Sequence, residues 1–214
     1  MGVSRSLTRR GPDGKIYVAQ NGGIFVASAA AEPGVQVISG GRVEYLVVGI
    51  DAPNDLVIGP DARLRASVHQ RLRFQPRCGT TDGNRDIRGA SVELSHEASK
   101  NHKDSAEVLC TFDCGWPDGM AVCADGTRWV TLTGGHRLDL VNQRGHTVDT
   151  VRLPDGALPT NVCLNTASTN ELLVTASFHQ ALLRMGPPET SRGKVPHAHG
   201  PSIAPPKGHA RQGP

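Results

Sequence analysis

Apolar and polar residues alternate along this chain in short bursts, and the bursts recur behind one kind of turn. Ile16-Tyr17-Val18-Ala19 follows Gly11-Pro12-Asp13-Gly14, Leu64-Arg65-Ala66 follows Gly59-Pro60-Asp61-Ala62, and Arg128-Trp129-Val130-Thr131 follows Cys123-Ala124-Asp125-Gly126. A weaker copy stands at Asn170-Glu171-Leu172-Leu173-Val174-Thr175. Pro presets φ and Gly accepts φ > 0, so each signature reverses the chain tightly. Alternation with period 2 then predicts a half-buried strand. A second apolar run precedes the turn, as in Asp55-Leu56-Val57-Ile58 and Met120-Ala121-Val122, so each unit reads as a hairpin. Further hairpins are expected at 41–47 and 137–141. Antiparallel sheet is therefore predicted near residues 11–48, 55–67, 119–153 and 160–185.

The copies are 48, then 64, then about 45 residues apart. A four-stranded propeller blade occupies roughly 40–50 residues. The spacing predicts an all-β chain, an incomplete β-propeller with about four recognisable blades over residues 1–186. The 64-residue interval is too long for one blade and too short for two. Its centre, about 69–107, mixes Arg71, Arg73, Arg77, Arg85 and Arg88 with acids and amides without a sustained period, and is expected to be an irregular insertion. From Gly186 onward, Pro and Gly supply 12 of 29 residues, and 187–214 is expected to be a disordered tail.

Composition changes this picture little. With 214 residues, 25 Gly, 15 Pro and 4% aromatic residues, many short strands fit better than a helix bundle. The net charge of +3 sits in the tail, where Arg192, Lys194, Lys207 and Arg211 face Glu189 alone. The body is neutral and has no basic stripe for a phosphate backbone, so nucleic acid is not an expected partner. The five cysteines lack metal-site spacing and are expected to be reduced thiols. No apolar run approaches the ~20 residues of a membrane span, and no secretory signal is apparent; a cytoplasmic location is expected.

Several segments, in the right order, resemble one family. Gly11-Pro12-Asp13-Gly14-Lys15-Ile16-Tyr17-Val18-Ala19-Gln20-Asn21-Gly22-Gly23 is similar to the opening blade of the gluconolactonase, senescence-marker-protein (regucalcin) and luciferin-regenerating-enzyme family. Ala52-Pro53-Asn54-Asp55-Leu56, Pro117-Asp118-Gly119-Met120-Ala121-Val122 and Thr160-Asn161-Val162-Cys163-Leu164 resemble its later motifs. The resemblance implies a six-bladed propeller, of which this chain is a truncated or degenerate member. It also implies one divalent cation in the central channel, calcium by preference with zinc or magnesium as alternatives. The substrate would be a small-molecule sugar lactone or related ester, and the chemistry metal-assisted hydrolysis.

Carried over, Asn54 and Asp118 become metal ligands, and Asp118 the general base as well. The family's upstream glutamate and its second "P-N-G" asparagine have no counterpart here, although Pro53-Asn54 itself resembles that second motif. The alternative is a catalytically inactive propeller serving as a binding or scaffold protein. Read locally, Asn54 and Asp118 are turn residues and Asn21-Gly22-Gly23 is a hairpin turn. His136 reads as a solvated turn residue, and Trp116 and Trp129 as core.

Overall fold

Three of the repeated turns close with one hydrogen-bond pattern. The residue that opens the turn donates its N–H four residues on and accepts from the residue three on: Gly11 to Lys15 and from Gly14, Gly59 to Arg63 and from Ala62, Cys123 to Thr127 and from Gly126. The aspartate at the tip, Asp13, Asp61 or Asp125, accepts the N–H two residues later at 3.0–3.2 Å. Gly14 and Gly126 take φ near +80°, and Ala62 holds the equivalent position at +61°. The sequence repeat is thus one local structure made three times.

The computed structural model describes residues 7–22, 32–50, 52–70, 88–94, 106–165 and 171–186. Every regular element among them is a strand. They form four antiparallel meanders, in each of which neighbours in sequence are neighbours in the sheet. Blade 1 holds β1 (Thr8–Arg10), β2 (Ile16–Gln20), β3 (Gly34–Ser39) and β4 (Arg42–Val48). Blade 2 holds β5 (Pro53–Ile58), β6 (Leu64–Gln70), β7 (Arg88–Leu94) and β8 (Ala106–Thr111). Blade 3 holds β9 (Trp116–Val122), β10 (Arg128–Thr133), β11 (Arg137–Val141) and β12 (Thr147–Arg152). Blade 4 holds β13 (Pro159–Leu164), β14 (Leu172–Ala176) and β15 (Ala181–Met185). The fold is a β-propeller with four blades among the described residues.

One expectation needs correction. The stretch 69–107 is not irregular throughout: β6 runs to Gln70, β7 lies wholly inside it, and β8 begins at Ala106. β7 pairs with β6 from Leu64↔Leu94 to Gln70↔Arg88, and with β8 on its other edge. Among the described residues, the 64-residue interval therefore holds a single blade. Residues 71–87, 95–105 and the tail 187–214 lie outside the described residues.

Blades pack face to face, and period 2 explains how one strand serves two neighbours. Leu56 and Ile58 join Tyr17, Ala19, Val35 and Val47 of blade 1. Val57, between them, turns to Met120, Val122, Val130 and Val141 of blade 3. Trp129, Leu138 and Leu140 of blade 3 meet Val162, Leu164, Leu172 and Val174 of blade 4. Both faces of β5 are covered, so the Leu56-Val57-Ile58 run is apolar without a break. Trp129 is core as expected; Trp116 is only partly buried and lies beside Gly134. Cys110, Cys123 and Cys163 are not in disulfides, but Cys114 is disulfide-bonded, which corrects the all-thiol reading.

The turn of blade 2 carries a pH-sensitive tie. Both Asp61 oxygens accept from Arg65, Nη1 at 2.9 Å and Nη2 at 2.6 Å. These bonds hold the Asp61 carboxyl at a pKa of about 2. A depressed folded-state pKa means stability that is present above the ordinary carboxylate value of about 3.9 and lost as the group protonates in the fold. The stability gap between wild type and Asp61→Asn is expected to be constant above about pH 5 and to close between about 4 and about 2, measured by urea unfolding across pH. A gap independent of pH would show that the carboxylate charge is not what holds Arg65.

Candidate functional site

The inner strand of each of blades 2, 3 and 4 carries one extra residue at its start. β5 pairs Leu56↔Ala66 and Pro53↔Val68, leaving Asn54 and Asp55 opposite Ser67 alone. β9 pairs Met120↔Val130 and Pro117↔Leu132, leaving Asp118 and Gly119 opposite Thr131. β13 pairs Val162↔Val174 and Pro159↔Ala176, which sets the extra residue at Thr160 beside Thr175. A bulge of this kind re-aims a side chain out of the alternating pattern. The register makes Asn54, Asp118 and Thr160 one equivalent position, and Asp55, Gly119 and Asn161 the next.

The two residues singled out from sequence come together. Asn54 Nδ2 donates to Asp118 Oδ1 at 2.5 Å, across the boundary between blades 2 and 3 and 64 residues of chain. Both are partly buried. The inner strands of neighbouring blades touch from β5 through β9 to β13, which is why equal positions in successive blades converge.

Three features fix this geometry. Gly119 allows the closest approach of blade 4, since a Cβ there would lie 2.6 Å from both Asn161 Cα and Asn161 Oδ1. The Thr133 hydroxyl bonds the Pro159 carbonyl across the same boundary. Asp55, fully buried, joins three blades. Its Oδ1 accepts Leu56 N–H at 2.8 Å, its Oδ2 accepts Met120 N–H at 2.7 Å, and Arg9 Nη2 of blade 1 stands 3.5 Å from Oδ1. Burial pushes the Asp55 carboxyl up, while the Arg9 charge and the two N–H donors oppose it.

The other expectations sort simply. Asn21 and Gly22 stand in a turn after β2, with Gly22 at φ +69°; Gly23 lies outside the described residues. His136 is a turn residue between β10 and β11, partly buried, whose carbonyl accepts Leu153 N–H. No group of three or more His, Cys, Asp or Glu that could hold a metal occurs among the described residues. The sequence reading missed Asp55, Ser67, Thr131 and Thr175 as partners of the bulges. A signal was present, because Ala66-Ser67, Val130-Thr131 and Val174-Thr175 each put a hydroxyl after an apolar residue in the second strand of the unit.

Four meandering blades, three of them with a bulge at the start of the inner strand, define a β-propeller. Residues 84–178 match the SMP-30/Gluconolactonase/LRE-like region, the family that the chain's motifs resemble. Among solved structures it is similar to a gluconolactonase from Xanthomonas campestris, with 17% identity and a TM-score of 0.56 over 79% of this chain and 52% of that one. It is likewise similar to regucalcin, a calcium-binding protein from Agrobacterium tumefaciens, with 20% identity and a TM-score of 0.54 over 82% of this chain and 55% of that one. A luciferin-regenerating enzyme matches with 18% identity and a TM-score of 0.55, over 89% of this chain and 58% of the other. The chain spans just over half the length of each. No curated protein matches it.

Proposed function

We propose that this chain is a gluconolactonase-like protein in which Asn54 and Asp118 take a divalent cation of the calcium class and a small lactone or related ester is hydrolysed. The observation that carries the reading is the meeting of Asn54 and Asp118 at equivalent bulges of adjacent blades. A carboxylate and an amide oxygen form a hard donor set of the kind calcium, magnesium and, less selectively, zinc accept. The Asn54 amide presents its nitrogen to Asp118 in this structure; turning it over would put two oxygens side by side, an arrangement that calls for a cation between them. Calcium normally takes 6–8 oxygens, so two protein donors fit a weak site completed by water. Once bound, such an ion polarises a lactone carbonyl. Asp118, beside it, is the group placed to take a proton from the attacking water.

The second reading, a propeller that binds without catalysis, is favoured by one observation. The Asn54 amide already satisfies an Asp118 oxygen without any ion. Purified chain assayed for lactone hydrolysis with calcium or zinc, beside Asp118→Ala, separates the two. Metal-dependent turnover lost in the variant supports the enzyme. No turnover in either leaves only the binding role, and turnover equal in both overturns the assignment of Asp118.

A further inference from the structure

We propose that Ser67 is a positioning residue for the Asn54–Asp118 pair, an assignment that rests on the cation-binding reading above. Ser67 is fully buried in β6, opposite the bulge of β5. Its Oγ accepts the Asp55 N–H at 2.9 Å and donates to the Asp118 carbonyl at 2.7 Å. One hydroxyl therefore holds the backbone beside Asn54 and the backbone of Asp118 itself, on opposite sides of the blade boundary.

The equivalent hydroxyls do something different. Thr131 Oγ1 accepts from Gly119 N–H at 2.8 Å and reaches the Gly119 carbonyl at 3.1 Å, both within blade 3. Thr175 Oγ1 lies 2.8 Å from Thr160 Oγ1 and donates to the Asn161 carbonyl at 3.4 Å, both within blade 4. All three hydroxyls hold a bulge. Among the described residues, Ser67 alone of the three also reaches the next blade. A bulge interrupts the ladder and leaves its residues free to swing, yet two donors share a cation only when their separation is held closely. The Ser67 bridge removes that freedom. It sets the distance between the two side chains without touching the ligand.

The test is a calcium chloride titration by calorimetry on the full chain, with thermal unfolding of each apo variant alongside. Ser67→Ala is expected to weaken calcium binding by about tenfold or more, the scale on which outer-shell partners act. Ser67→Thr, which restores the hydroxyl in the form blades 3 and 4 use, is expected to bind within about twofold of wild type. Thr175→Ala removes the equivalent hydroxyl of blade 4; it should lower the melting temperature while leaving calcium affinity unchanged. Equal affinity in wild type and Ser67→Ala overturns the proposal, as does a loss of the same size in Thr175→Ala, which would mark these hydroxyls as merely structural. If Ser67→Ala does not fold, Ser67→Cys takes its place, because a thiol fills the space but bonds weakly. Weakened binding in Ser67→Cys then supports the bridge, and affinity equal to wild type overturns it. Absence of calcium binding by wild type is a separate result that removes the cation reading itself.

Discussion

Truncating Trp129 to alanine is expected to destabilise the chain by about 3–5 kcal/mol, the usual cost of emptying a large buried aromatic site. Trp129 is fully buried in β10 and packs with Leu138, Leu140, Val162, Leu172 and Val174, so it fills the joint between blades 3 and 4. Two packed sheets relax only partly over so large a void. Its indole N–H is buried with no hydrogen-bond partner, so burial of the ring outweighs the cost of one unmet donor. Trp129→Phe discards that donor with part of the ring and should cost markedly less than Trp129→Ala. Urea unfolding monitored by circular dichroism measures both. A cost below about 1 kcal/mol for the alanine variant would mean that the joint is not the core described.

Asp55→Ala should be comparably damaging, at about 3–5 kcal/mol, for a different reason. The substitution leaves Leu56 N–H and Met120 N–H without their acceptor and removes the carboxylate beside Arg9. Each orphaned buried donor costs about 1–3 kcal/mol. Arg9 keeps its bond to the Leu56 carbonyl at 2.7 Å, so blade 1 stays attached at one point. The damage should therefore concentrate at the boundary between blades 2 and 3. Amide hydrogen exchange should show Met120 losing protection earlier than Val35 or Val47. Uniform loss of protection would instead identify Asp55 as a global determinant of the fold.

Much of the fold was legible because it is local. The turns at Gly11, Gly59 and Cys123 share an aspartate at the tip with Pro before it, Gly after it or both, and the hydrogen bonds they make lie within five residues. Period 2 is legible in the strands after them because successive side chains point to opposite faces of the sheet. β7 was not legible, although Ala90, Val92 and Leu94 do alternate with Ser91 and Glu93. Gly89 and the charged residues on either side mask the period, and its pairing with β6 is a tertiary choice that no local signal announces. The meeting of Asn54 and Asp118 could be anticipated because equivalent positions in a propeller converge. The ties that hold them could not. Asp55 reaches Met120 across 65 residues and Ser67 reaches Asp118 across 51, and which polar group meets which follows from the packing of blades.

The measurement that bears most directly on the Asn54–Asp118 site is calcium binding by the purified chain, titrated by calorimetry and by the rise in melting temperature with added calcium. A ligand bound only by the folded state must raise stability, so the two readouts should agree. Weak saturable binding is expected for wild type, lost in Asp118→Ala and weakened in Asn54→Ala, because the first variant removes the only charge of the pair. Binding unchanged in Asp118→Ala would contradict the assignment of the site.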